Sequence, residues 1–80
     1  MDKKSLSLND LEIGKIGNVI SLKSNGNERR RMLDLGLVKD TKIEVLYKSP
    51  CGDPTAYYIR GAVIALRNED ANKIVVDEVD

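Results

Sequence analysis

Histidine, phenylalanine and tryptophan are all missing from this chain of 80 residues, and cysteine occurs once, at Cys51. Without histidine the commonest general base and metal ligand is gone. Cys51 has no histidine to activate it as a nucleophile. Alone, it can form no internal disulfide, which fits a reducing compartment. Cys51 and Asp53 together offer two metal donors, short of a closed intracellular metal site. Gly14 and Gly17 lack the Lys-Ser/Thr of a phosphate-binding loop. No apolar run is long enough for a signal peptide or a membrane span, so a cytoplasmic protein with no direct membrane insertion is expected.

An excess of charge of one sign is missing too, since 13 basic residues balance 13 acidic ones. A dedicated nucleic-acid binder usually carries a strongly basic domain, so no nucleic acid is expected as a partner. Neutrality still permits a local patch, and Arg29-Arg30-Arg31 is one. These absences leave a binding or adaptor domain, not an enzyme, with no tightly bound cofactor.

A composition 41% apolar and 32% charged describes a globular chain. Residues 1–80 are expected to form a single domain, and a chain of this size buries only roughly 60% of the surface its unfolded form exposes. Its core must come from Leu, Ile, Val, Met, Ala and the three tyrosines.

Ser7–Leu11 fits a single turn with Leu8 and Leu11 on one side, and Asn18–Leu22 a strand with Ile20 and Leu22 opposite Val19. Asn27 is suited to cap a helix over Glu28–Leu35. Met32, Leu33, Leu35 and Leu37 have the spacing of a buried stripe, and Arg30 can pair with Asp34. Gly36 fits the left-handed position that ends a helix, with Leu37 folding back. Thr41–Lys48 alternates as a strand with Ile43, Val45 and Tyr47 inward. Thr55–Arg60 and Ala62–Leu66 are two more strands, with a bulge or sharp bend at Gly61. Ala62–Leu66 is apolar on both faces, which predicts the central, most buried strand. Asn68 can cap a short helical turn before a last strand, Ile74–Val79. Five short strands in so few residues predict a mainly β fold, a small, strongly bent SH3-like barrel with one short helix after the first strand, with a split sandwich as the alternative.

The stretch SPCGDPTAYYIRGAVIALR holds both prolines and the only cysteine. Ser49-Pro50-Cys51-Gly52 fits a type I turn, with Pro second and Gly fourth. Asp53 before Pro54 is pushed toward an extended backbone. This rigid frame either shapes the fold alone or presents Cys51 and Asp53 at a loop tip for recognition. Tyr57 and Tyr58 point to opposite faces of a strand, so one belongs to the core and the other can anchor a partner. For Arg29–Arg31 the alternatives are a solvated helix face and a docking patch for an acidic partner or phosphate.

GKIGNVISL, RRRMLDLGLVKDTKIEV and SPCGDPTAYYIRGAVIALR, followed by EDANKI and a valine strand, resemble the FeoA family from about Leu6 to Val79. The resemblance implies an SH3-like barrel and a non-enzymatic accessory role in bacterial ferrous iron uptake. It also implies a partner, the FeoB transporter, a membrane protein with a cytosolic GTP-binding domain. That partner would recruit the chain to the inner face of the membrane. Pro50, Cys51, Gly52, Asp53 and Pro54 with Tyr58, Arg31 and Arg60 are the candidate partner-binding residues. Asp40 stands where the family usually has glycine, so an aspartate must accept left-handed backbone there. Cys51 stands where a larger apolar residue is frequent.

Two other functions compete. One is an RNA- or ribosome-associated barrel using Arg29–Arg31 with Arg60 and Arg67, against which the neutral charge and few aromatics count. The other is direct, weak ferrous iron binding through Cys51 and carboxylates. No residue pattern sets an oligomeric state.

Overall fold

A computed structural model describes residues 5–79 as one antiparallel sheet of six strands with two short helices. The strands are β1 (Ser5–Ser7), β2 (Ile16–Leu22), β3 (Lys42–Lys48), β4 (Thr55–Ile59), β5 (Ala62–Leu66) and β6 (Ile74–Val79). Helix α1 spans Gly26–Asp34 and α2 spans Asn68–Ala71, while Leu8–Asp10 forms a 3-10 turn. The sheet order is β1-β6-β2-β3-β4-β5. β1 was not anticipated from the sequence: it is three residues long, and its only partner, β6, lies at the other end of the chain. The expected mainly β class therefore stands with six strands instead of five, and α1 follows the second strand.

Leu8 and Leu11 are both buried and share the core with Val19, Met32, Leu37, Ile43 and Val45. Tyr57, Ile59, Leu66, Ala71, Ile74 and Val76 complete it. Ile43, Val45, Tyr57 and Ile59 alternate along β3 and β4 as a strand with one dry face requires. Two bulges break that parity. In β2 the register shifts between Val19 and Ser21, so Val19 enters the core and Leu22 also packs against it, while Ile20 is only half-buried. In β3 the shift between Val45 and Tyr47 turns Tyr47 outward, against expectation. One extra residue reverses every side chain beyond it.

Helix α1 begins two residues earlier than expected. Asn25, with an extended backbone, is its N-cap, and the Asn25 carbonyl accepts the Arg29 amide at 3.3 Å. Its other end matches the sequence pattern. Gly36, at φ +96°, donates to the Leu33 carbonyl at 3.0 Å, and Leu37 donates to that of Met32 at 3.1 Å. This paired closure sends Leu37 back into the core. Met32 is buried and Leu35 half-buried, but Leu33 points to solvent. A short helix lying on a sheet buries one narrow stripe, and Leu33 falls outside it.

β5 overturns the expectation of a central strand. It pairs only with β4 and forms an edge, with Ala62, Val63 and Ala65 exposed and only Leu66 buried. Its apolar composition is therefore not matched by burial. Arg60 and Gly61, at φ +49° and +85°, form the two-residue turn from β4, which supplies the sharp bend expected at Gly61.

Candidate partner-binding surface

The Ser49–Pro54 segment joins β3 to β4 as a stiff loop. The Gly52 amide donates to the Ser49 carbonyl at 2.8 Å, the bond a four-residue turn requires. The Ser49 amide donates to the Pro54 carbonyl at 3.1 Å and closes the base of the loop. The Asp53–Pro54 bond is cis. Pro50, Cys51, Asp53 and Pro54 are exposed, and Gly52 is half-buried.

Asn68 fastens this loop to the sheet. Its backbone amide donates to Asp53 Oδ1 at 2.9 Å, and its Nδ2 donates to the Gly52 carbonyl at 3.0 Å. The Thr55 hydroxyl donates to Asn68 Oδ1 at 3.5 Å. Asn68 was expected to cap α2, but it is the first helical residue, and Arg67 occupies the N-cap without a side-chain bond. The capping acceptor comes instead from Asp53, fifteen positions earlier. A carboxylate there also complements the positive end of the helix. Asp53 is thus exposed and structurally engaged at once.

The other candidates lie elsewhere. Tyr58 stands on the outer face of β4 between Glu44 of β3 and Val63 of β5. Tyr57, as expected, faces inward. Burial pushes its phenol above the ordinary tyrosine value; the Thr55 hydroxyl pulls it back, and the Asp53 charge raises it further. Arg60 sits at the far end of β4 from the loop, and its aliphatic stem lies over Gly36. A Cβ added at Gly36 would come within 2.5 Å of Arg60 Cδ. The eight candidates therefore form no single patch: the loop and Arg60 mark opposite ends of β4, and Tyr58 lies between them.

Arg31 reaches across to α2, its Nη2 at 3.3 Å from Asp70 Oδ2. Arg29 donates to the Leu22 carbonyl at 3.2 Å. The expected Arg30–Asp34 pair does not form; among the described residues Arg30 makes no ion pair. Beside these, Lys73 Nζ meets Glu28 Oε1 at 2.7 Å, and this hydrogen bond holds the ammonium above the ordinary lysine range. A shallow cleft between α1 and α2 is lined by Asn27, Glu28, Arg31 and Asp70. Asp40 adopts φ +72°, as a residue in a position normally taken by glycine must, and its carboxylate accepts from Asn18 Nδ2 at 3.3 Å.

Among the described residues no three histidine, cysteine, aspartate or glutamate side chains are gathered to hold a metal ion. No described helix is long and apolar enough to cross a membrane. Two features of the surface had no clear signal in the sequence: the clasp made by Asn68, and the exposed apolar pair of Tyr47 and Val63.

The model of the FeoA domain matches residues 6–78. A fusion of Fe(2+) transport protein A with the Fe(2+) transporter FeoB, from Porphyromonas gingivalis, is 33% identical over 72 residues. That match takes in 90% of this chain and 8% of the fusion protein. The solution structure of FeoA from Chlorobium tepidum superposes with a TM-score of 0.87 at 33% identity, over 94% of this chain and 71% of that one. FeoA from Stenotrophomonas maltophilia, crystallised with zinc and described as an SH3 domain protein, superposes with a TM-score of 0.80 at 29% identity, over 90% of this chain and 89% of that one. The bent sheet is thus SH3-like, and the chain belongs to the FeoA family, which is associated with ferrous iron transport.

Proposed function

We propose that this chain is a non-enzymatic accessory protein of ferrous iron uptake that acts by binding the cytosolic region of a FeoB-like transporter. The observation that carries this reading is the Porphyromonas gingivalis relative, in which a FeoA-type segment and FeoB are one polypeptide. Tethering raises the local concentration of one partner at the other to about the millimolar range for a short flexible linker. Such a fusion favours two parts that work in contact.

The Pro50–Pro54 loop is the contact best prepared for this role, and Tyr58, Arg31 and Arg60, which lie apart from it, are separate candidates. Its clasp to Asn68 orders the loop before any partner arrives, so little conformational freedom remains to be lost on docking. Cys51 and Asp53 give ferrous iron two donors at most, which suits weak contact with the ion and not a resident metal.

The test is binding of the purified chain to the cytosolic domain of FeoB from the same organism, with and without guanine nucleotide. Saturable binding is expected, weakened at least about tenfold by Cys51→Glu in a variant that unfolds like the parent. No binding in any nucleotide state would overturn the cytosolic contact, and undiminished binding by the folded variant would overturn the loop as its surface.

A further inference from the structure

Asparagine occurs six times in the chain, and only Asn25 is followed by glycine. That pair matters because the backbone nitrogen of the next residue can attack an asparagine side-chain amide. A Cβ on that residue crowds the attack, and glycine has none. Asp10, Val19, Glu28, Glu69 and Lys73 follow the other five.

The fold leaves both reacting groups of Asn25-Gly26 free. Gly26 is the first residue of α1, where an amide has no acceptor within the helix, and among the described residues it donates to nothing else. Asn25 is the N-cap, whose side chain usually accepts an amide of the first turn, yet here it makes no such bond. Both residues are exposed, and the space where a Gly26 Cβ would stand is open. By contrast, Asn18 donates to Asp40, and Asn68 is clasped to Gly52. Asn25 has an extended backbone, with ψ 164°, so ring closure needs a rotation that carries its carbonyl away from Arg29. The bond opposing it, from the Arg29 amide at 3.3 Å, is the longest of the described backbone bonds in turns, loops and caps. Helix ends fray at such bonds.

We propose that Asn25-Gly26 is a self-modifying site, at which the folded chain converts its own asparagine into aspartate and isoaspartate. The Gly26 nitrogen gives up its proton to hydroxide or another base and bonds to Asn25 Cγ. The Cγ–Nδ2 bond breaks, and Nδ2 leaves as ammonia with the proton that the Gly26 amide lost. Water then opens the cyclic imide at either carbonyl. Breaking the bond from nitrogen to Cγ gives aspartate. Breaking the bond from nitrogen to the Asn25 backbone carbon gives isoaspartate, in which the chain runs through the side chain. No electron is gained or lost, and water is the only co-reactant.

The two products differ in consequence. Aspartate serves as well as asparagine at an N-cap, and its charge suits the positive end of α1. Isoaspartate adds a methylene to the backbone and turns the carbonyl that holds Arg29 into a free carboxylate. The first turn of α1, where Glu28 is tied to Lys73, then loses its anchor. Either product adds one acidic group to a chain in which 13 basic residues balance 13 acidic ones. The inference does not depend on docking to a transporter.

The test is incubation of the full folded chain at neutral and mildly alkaline pH, beside the same chain in urea, followed by tryptic mapping with mass spectrometry. Trypsin releases Ser24–Arg29, which also carries Asn27 as an internal control. Conversion is expected at Asn25 and not at Asn27, faster at the higher pH, and within about tenfold of the rate in urea. Gly26→Ala should slow it at least about tenfold. Asn25→Asp should unfold like the parent, and an isoaspartate-specific carboxyl methyltransferase should label the aged chain but not this variant. Conversion confined to the urea sample would overturn the proposal, because the fold would then protect the pair. Equal rates at Asn25 and Asn27 would do the same, as would an unchanged rate in Gly26→Ala.

Discussion

The Asp53 carboxylate accepts the backbone amide of Asn68 at 2.9 Å, so an acid at the tip of the Pro-framed loop caps a helix fifteen residues downstream. Loop and helix therefore hold each other in place. Replacing Asp53 with alanine should cost about 1 kcal/mol, the usual value of a lost cap. For a domain of this size that lowers the melting temperature by about 4–8 °C. Asp53→Asn keeps an oxygen acceptor and should cost less. Thermal unfolding followed by circular dichroism distinguishes the two, and equal losses would mean that the capping bond contributes nothing.

Gly36 should resist substitution for two separable reasons. Its backbone is left-handed, and its missing Cβ leaves room for the Arg60 stem. Gly36→Ala is expected to destabilise by about 1–3 kcal/mol in urea titrations. In a double-mutant cycle Arg60→Ala should recover the part due to crowding and leave the backbone part. Full recovery would assign the whole cost to the clash; none would assign it to φ.

The leucines around the end of α1 should divide sharply. Leu37 is fully buried, so Leu37→Ala should cost about 2–5 kcal/mol, enough to threaten folding of a chain this small. Leu33 is exposed, and Leu33→Ala should stay within about 0.5 kcal/mol of the parent. Similar losses at both sites would place Leu33 back in the core.

Stability should fall at alkaline pH for a definite reason. Burial raises the folded Tyr57 phenol above its ordinary value near 10, so above that pH the native state holds more protons than the unfolded chain. The contribution is complete below pH about 10 and is lost as pH rises toward the folded value. Lys73, raised chiefly by its hydrogen bond to Glu28, acts in the same direction. Salt separates the two: the exposed pair is screened, whereas the buried phenol is not. Tyr57→Phe should flatten the decline in chemical denaturation between pH 9 and about 11 at high salt. An unchanged slope would remove Tyr57 as its source.

Features governed by near neighbours in the chain were legible in advance. The Leu8–Leu11 turn, the Gly36–Leu37 helix ending and the bend at Gly61 each depend on a few adjacent residues, and each appears where the pattern placed it, although Arg60, read as the end of the strand, joins that bend. Features decided by distant strands were not. β5 reads as a core strand because an unbroken apolar run looks the same whether or not another strand covers it, and its place at the edge is decided by the pairing of distant strands. Tyr47 was placed on the wrong face because a bulge depends on the partner strand and leaves no mark in the alternation. At the candidate surface the turn from Ser49 to Gly52 was foreseeable. The Asn68 clasp was not, since nothing in either segment names the other as its partner.

The pairing of Ser5 with Asp77, whose side chains also hydrogen bond at 2.8 Å, brings the first and last strands together. Among the described residues the first and last strands are thus neighbours, joined by a contact remote in sequence, while the β4–β5 hairpin is local. Joining the ends through a short linker and opening the ring at Arg60-Gly61 would exchange those roles without removing any other strand pair. Ring order, not strand identity, would then decide which seam closes last during folding, and the circular permutant would show it as a change in refolding rate at a largely preserved architecture.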